Sequence, residues 1–191
     1  MTAPRSPIRR IGLLSVSSPL PDSKGFLLMR TPTQKQILSA FRGATKSEIA
    51  KVAFPLDFDE VDFSRREFYA WRDRKAQRRA YLVVEHDGEL VALVLQRAEA
   101  KPRRRAMCSW CRDVEISQDA MLYTARRAGS RGRRGDTIGI LVCEDFGCCK
   151  HARKLPPAYH KGTDLDAIRE QQVAEMSRRV DAFVSEVLDG D

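Results

Sequence analysis

The chain has 191 residues, of which 42% are hydrophobic and 31% are charged, enough apolar sequence for one domain of ordinary size. No apolar run approaches the roughly 20 residues that cross a bilayer, so the composition predicts a cytoplasmic protein without a membrane segment, and nothing in it requires more than a monomer. The net charge of +8 favours an anionic partner.

The first residues carry weak structural signals. Residues 1–30 are expected to form a disordered leader, because their short apolar run is interrupted by serines and proline. Residues 31–54 predict a helical hairpin. Both helices open on a capping-box pattern, Thr31 to Gln34 for the first and Thr45 to Glu48 for the second.

The middle of the chain predicts a hairpin of two strands. A charged, aromatic stretch comes first, and a short helix is expected over residues 64–71. Residues 80–86 and 89–98 are then rich in β-branched and aromatic or apolar residues, and only Asp87 and Gly88 separate them. This dipeptide suits the left-handed backbone of a two-residue hairpin turn.

The last third predicts two more strands and a long helix. The strands cover residues 119–128 and 136–143, and the Gly- and Arg-rich segment 129–135 is expected to be a loop between them. Thr163 is the expected N-cap of a helix that runs to about Leu188. Its apolar stripe favours packing on the sheet over binding of a partner.

All five cysteines lie in two short segments, "CSWC" (108–111) and "CEDFGCC" (143–149). An odd number of cysteines and the lack of a convincing secretion signal argue against a disulfide framework. A Cys-x-x-Cys turn, a β-hairpin, and then ligands at a strand end and a helix start are the layout of a treble-clef zinc finger. Cys108, Cys111 and Cys143 are candidate ligands, and the fourth ligand is left open among three neighbours. These are Cys148, Cys149 and His151.

The cysteine set predicts a structural metal rather than catalysis. Four thiolates close the coordination of Zn²⁺, whereas a catalytic zinc keeps one position for water. A redox Cys-x-x-Cys would need a helix directly after it, and "RDVEIS" reads as extended. Buried cysteines without metal are the remaining alternative. The three histidines are scattered and no phosphate-binding loop is present, so the sequence predicts a protein that is not an enzyme.

Most of the net charge lies in one segment. Residues 101–134 contain ten basic and three acidic residues, which leaves +7. Such a segment suits RNA, the ribosome or an acidic protein face, and the alternative is a solvated surface without a partner.

The order of four stretches resembles a known family. They are "WRDRKAQRRAYLVV", "LVALVLQRA", "CSWC" and "ILVCEDFGCCKHAR", which fall within roughly residues 33–155. Together they resemble the elongation factor G-binding proteins with a C-terminal treble-clef zinc finger, that is, the fusidic-acid-resistance family and its actinobacterial relatives. The most specific part is the pattern formed by Cys108, Cys111, Cys143, Asp145 and Cys148.

The resemblance implies one structural Zn²⁺ with Cys148 as the fourth ligand. It also implies binding to elongation factor G, release of that factor from the ribosome, possible tolerance of fusidic acid, and no enzymatic activity. The predicted fold is α+β, with a short N-terminal helical part (31–75), an antiparallel sheet with the zinc finger (76–160) and a long C-terminal helix (161–191).

The expected contact surface combines exposed cations with an aromatic anchor. The candidate partner-binding residues are Arg112, Arg131, Arg133, Arg134, Phe146 and Lys150. The alternative function is binding of RNA, ribosomal RNA in particular, by the zinc finger and the Arg-rich loop.

Overall fold

The computed structural model describes residues 29–100, 106–113, 119–154, 162 and 164–190. Its centre is an antiparallel sheet of five strands, in which neighbours along the chain are also neighbours in the sheet. The strands are β1 (Phe68–Arg72), β2 (Arg79–His86), β3 (Glu89–Arg97), β4 (Ala120–Arg126) and β5 (Thr137–Cys143). The helices are α1 (Gln34–Ala40), α2 (Lys46–Ile49), α3 (Gly129–Arg133), α4 (Cys148–His151) and α5 (Leu165–Leu188). The predicted α+β fold class is confirmed.

The β2–β3 hairpin forms as predicted. Asp87 and Gly88 have φ angles of 49° and 81°, the left-handed values that a two-residue turn between twisted strands requires. The pairing of His86 with Glu89 closes the turn, and pairing then continues along the whole of β2.

The sheet separates two apolar cores. On one face, Leu82 and Leu93 belong to a core that includes α5 and the cysteine segments. On the other face, Tyr81 and Val83 pack with α1 and with the aromatic residues of the N-terminal part. The apolar stripe of α5 lies in the first core, so its predicted packing role is confirmed.

The N-terminal core is built from rings. Phe58 and Phe63 lie in short 3-10 turns and contact Tyr69 of β1, with ring centroids 6.0 and 5.3 Å away. Trp71 stacks on Tyr69 at 5.3 Å and donates a hydrogen bond from Nε1 to the Ala53 carbonyl at 2.9 Å. This tryptophan fastens the segment after α2 to the first strand.

The helix predicted over residues 64–71 is wrong, because β1 occupies its second half and only a 3-10 turn lies at its start. Phe68 is buried on one face of the sheet, and Tyr69 and Trp71 are buried on the other. The sequence therefore lacks the alternation of apolar and polar residues that usually indicates a strand. β1 also lies inside the segment predicted as helical and pairs along its length with β2.

Two helix starts differ from the predicted ones. Thr33, not Thr31, is the N-cap of α1, and the capping box is completed by Gln36. The predicted second box, Thr45 with Glu48, is confirmed. At α5 the N-cap is Asp164, which accepts a hydrogen bond from the Ala167 amide, while Thr163 lies outside the described residues.

The Gly- and Arg-rich segment after β4 is helical over α3, although a loop was predicted. A Cβ on Gly132 would lie 1.7 Å from the Arg127 carbonyl oxygen, so only glycine lets this turn sit directly on the preceding backbone. The amide of Arg131 donates to the Gly190 carbonyl at 3.0 Å, and that of Ala128 to the Val187 carbonyl at 2.8 Å. These bonds fix α3 to the C-terminal end of α5. None of the described helices has the length and apolar character needed to span a bilayer.

Candidate metal centre

Four cysteine side chains converge from three parts of the chain. Cys108 and Cys111 flank the turn before β4, Cys143 is the last residue of β5, and Cys148 is the first residue of α4. The Sγ atoms of Cys108 and Cys148 are 3.6 Å apart, as are those of Cys111 and Cys143. All four sulfur atoms lie within 4.8 Å of one another.

This spacing fits a tetrahedral metal site. Four sulfurs at about 2.3 Å from one zinc ion would be about 3.8 Å apart. A disulfide would instead bring two sulfurs to about 2.05 Å, and all five cysteines are free thiols. A donor set of four sulfurs suits Zn²⁺ and leaves no position for a substrate.

The fourth position is occupied by Cys148 rather than by its neighbours. The thiol of Cys149 points away and lies 3.6 Å from the Phe68 carbonyl oxygen. Burial raises the pKa of Cys149 to about 11, as expected for a thiol in an apolar environment. His151 lies outside the four-sulfur set, with Nδ1 3.5 Å from the Cys143 sulfur. The imidazole is therefore placed to donate a hydrogen bond to a ligand thiolate, a contact that steadies such ligands.

The thiols compete for ionisation when they share no ion. Hydrogen bonds from Cys111, Cys143 and Cys148 lower the pKa of Cys108, whereas contacts with Cys108, Cys111 and Cys143 raise the pKa of Cys148. A divalent cation removes this conflict because it stabilises all four thiolates at once.

The turn that carries the first two cysteines is anchored by its backbone. The Arg112 amide donates to the Cys108 carbonyl at 3.0 Å, which closes the turn, and Arg112 takes a φ of 52°. The Ser109 amide donates to the Leu141 carbonyl of β5 at 2.8 Å. The turn thereby covers part of the edge strand of the sheet.

Trp110 joins the cysteine cluster to the main core. Its side chain is fully buried, and its ring meets Phe68 and Phe183 edge to face, with centroids 4.9 and 6.0 Å away. Its carbonyl accepts a hydrogen bond from Arg179 of α5 at 2.9 Å. The metal centre and the helix packing are therefore parts of one structure.

The loop between Cys143 and Cys148 is also fixed. Asp145 accepts a hydrogen bond from the Gly147 amide at 2.9 Å. Glu144 binds two cations, Arg72 at 3.1 Å and Arg97 at 2.5 Å, which connects the loop to β1 and β3.

Phe146 was a candidate aromatic anchor for a partner, with packing over the metal site as the alternative, and its position fits the alternative. The side chain is 5% exposed and packs on Tyr123, with ring centroids 5.0 Å apart. Its φ of 55° turns the chain so that the ring faces the core. Phe146 therefore anchors the ligand loop to the core through its contact with Tyr123.

The five predicted basic contact residues fall into two groups. Arg112 and Lys150 are exposed beside the cysteine cluster. Arg131, Arg133 and Arg134 lie at the opposite end of the β4–β5 hairpin. Each strand has seven residues, so about 20 Å separates the two ends. Residues 101–105 lie outside the described part of the chain.

Two features near the cysteines escaped the sequence analysis. Met107, directly before the first ligand, is 51% exposed, although a methionine usually packs inside. Lys150 borders a groove of about 430 Å³ whose other walls include Arg65, Arg66 and Lys154. The sequence signal that could have indicated the exposure of Met107 is its position as a single apolar residue directly before a ligand cysteine. The groove had none, because its two walls are about 85 residues apart in the chain.

A closed four-cysteine cluster, held between a turn, a hairpin and a short helix, defines this molecule as a treble-clef zinc-finger protein. Residues 36–187 match the family model described as FBP C-terminal treble-clef zinc-finger, and the chain belongs to that family. The resemblance inferred from the cysteine motifs is thereby confirmed.

A solved structure with a similar fold is described as the fusidic acid resistance protein FusC. It is 16% identical, with a TM-score of 0.49, and the match covers 65% of this chain and 54% of that one. The alignment therefore spans about half the length of FusC. A search of curated proteins finds no match.

Proposed function

We propose that this protein is a non-enzymatic factor that binds elongation factor G and promotes its departure from the ribosome. The observation that carries the proposal is the closed cysteine cluster, which fixes an exposed turn against α4 in a chain of this family. The ion is Zn²⁺, one per chain, because the donor set is four thiolates in a closed arrangement.

The proposed contact surface lies at the zinc-finger end and has a protein-binding character. Met107 offers an exposed apolar anchor, and Arg112 and Lys150 offer cations on either side of the cluster. Protein interfaces depend on such a combination of one apolar or Arg anchor within a polar rim. The expected partner face is acidic with a small apolar pocket.

Release requires more than binding. An effector shifts a conformational equilibrium only by its differential affinity for the two states. We therefore expect this protein to bind the departing state of elongation factor G more tightly than the ribosome-bound state. The residues around the zinc finger orient the contact surface, and the metal supplies rigidity rather than chemistry.

Binding is tested by titrating the zinc-loaded chain with the host's elongation factor G at physiological salt. The double variant R112Q/K150Q is expected to bind about 10-fold more weakly, since two rim cations contribute on the order of 1.4 kcal/mol together. The matched control is R133Q/R134Q, which removes the same charge at the far end of the hairpin and is expected to bind normally. Equal affinity for all three proteins would contradict the assigned surface, and no complex at all would contradict the function.

The release step has its own measurement. Dissociation of elongation factor G from ribosomes stalled by fusidic acid is followed with and without saturating amounts of the protein. Faster dissociation is the expected result. An unchanged rate, in the presence of normal binding, would refute the mechanism while leaving the partner intact.

A further inference from the structure

The opposite end of the β4–β5 hairpin contains an open groove that the proposed function does not use. Its volume is about 820 Å³. The groove is lined by residues 43–45, by Arg126 and Arg127, and by three glycines and Arg133 from 129–135. It lies about 20 Å from the cysteine cluster, since one hairpin separates them.

Some of the arginines at this groove are paired with acidic residues and others are not. Arg126 is paired with Glu48 and Arg127 with Glu186, each at 3.2 Å. Arg133, by contrast, is exposed and makes no ion pair within the described part of the chain, and the same holds for its exposed neighbour Arg134. These two guanidinium groups are therefore available to an anion from outside.

Glycines let backbone segments pack closely around the groove, and they contribute only backbone atoms to its lining. A Cβ on Gly43, where φ is +68°, would lie 2.9 Å from the Arg126 carbonyl oxygen. A Cβ on Gly190 would lie 1.7 Å from the Ala128 carbonyl oxygen. The backbone of residues 126–128 is thus packed against other backbone on two sides, so this wall of the groove loses little further conformational entropy when an anion binds.

The lining indicates what kind of anion fits. Among the described residues that line the groove there is no aromatic or large aliphatic side chain, so it offers no apolar anchor to a protein partner. Contacts to phosphate need only guanidinium groups and backbone amides. Because none of these described lining residues carries a ring for base stacking, such binding would not depend on base sequence.

We infer that this groove binds the phosphodiester backbone of a nucleic acid, independently of base sequence. Arg133, which lines the groove, and Arg134, which follows it in the chain, each contact one phosphate, while Arg126 and Arg127 keep their ion pairs and form the wall behind the strand. Two phosphate contacts predict a fall in log affinity with log salt of slope roughly −1.4 for a single strand, at about −0.7 per phosphate. The protein then has two separate surfaces, one for the translation factor and one for the nucleic acid.

The test uses the zinc-loaded full chain and fluorescence anisotropy with a labelled 12-nucleotide strand, made once as RNA and once as DNA. Affinity is measured at several salt concentrations for the native chain, for R133Q/R134Q and for R112Q/K150Q. The first variant is expected to bind at least about 10-fold more weakly at low salt, with the magnitude of its salt slope reduced by roughly 1.4. The second variant loses the same charge and is expected to behave as the native chain.

Three results would overturn the inference. An equal loss in both variants would mean that only the net charge attracts nucleic acid. Polyglutamate is tested as a model of an acidic protein. If the protein binds polyglutamate but neither nucleic-acid strand, the groove would be assigned to an acidic protein partner. Unchanged binding by R133Q/R134Q would place any nucleic-acid site elsewhere. A preference for RNA over DNA of the same sequence would identify the source of the phosphates. Factor binding is measured on the same variants, so failure of this site and failure of the proposed function are distinguishable.

Discussion

Removal of the metal should destabilise the core that includes α5, because Trp110 lies between two of the ligand cysteines and packs in that core. Its side chain has no exposed surface, and a buried tryptophan removes about 150–250 Å² from water. At about 25 cal/mol per Å², release of this residue costs about 4–6 kcal/mol. Chelation is therefore expected to lower the unfolding midpoint by roughly 10–20 °C for a chain of this size.

The assay follows Trp110 directly. In a Trp71→Phe background Trp110 is the sole tryptophan, and its emission should shift to longer wavelength as a chromophoric chelator takes up one zinc per chain. Hydrogen exchange in the native chain should rise over residues 106–113 at the same time. Cys148→Ser should reproduce these effects, whereas Cys149→Ser should keep the metal. A metal-free chain with unchanged Trp110 emission and an unchanged midpoint would refute the reasoning.

Stability measurements test four further residues of the fold. Tyr81→Phe should cost about 1.5–3 kcal/mol, because the hydroxyl donates to the buried Asp73 carboxylate at 2.6 Å; Tyr123→Phe should be neutral or stabilising, because its buried hydroxyl has no hydrogen-bond partner among the described protein groups. Loss of stability in Tyr123→Phe equal to that in Tyr81→Phe would contradict the assignment of Tyr123, and no loss in Tyr81→Phe would contradict that of Tyr81. Gly132→Ala should cost at least about 2 kcal/mol, since its Cβ meets a backbone carbonyl at 1.7 Å. Gly139→Ala, whose Cβ would be 3.4 Å from a methyl group of the exposed Leu122, should change stability by less than about 0.5 kcal/mol in chemical denaturation. A similar loss in both glycine variants would argue against the clash.

Local signals in the sequence led to correct predictions where neighbours in the chain decide the structure. The Asp87–Gly88 turn and the box at Thr45 depend on a few adjacent residues, and both form as expected. The cysteine spacing was informative for the same reason, because a turn and a helix start present ligands in a few geometries only. Choosing Cys148 over Cys149 from the residues alone was not possible, since the direction of each thiol depends on how α4 packs.

Long-range packing explains the errors. β1 was missed because its residues are buried on both faces, so the alternation that marks a strand is absent. α3 was missed because its glycines lower the helix propensity of the segment, and its stability comes from contact with the end of α5. The basic segment looked continuous in the sequence, but the β4–β5 hairpin places Arg112 at one end and Arg131, Arg133 and Arg134 at the other.

The burial of β2 on both faces has a consequence for strand register. Residues 80–84 are all buried, with alternate side chains in the two cores. In a strand with one wet face, a slip by one position is penalised because polar side chains would move inward. Here both faces are apolar, so a slip by one position would only move apolar side chains from one core to the other. The tight turn at Asp87–Gly88 and the hydroxyl of Tyr81, which must reach Asp73, are the features that forbid this exchange.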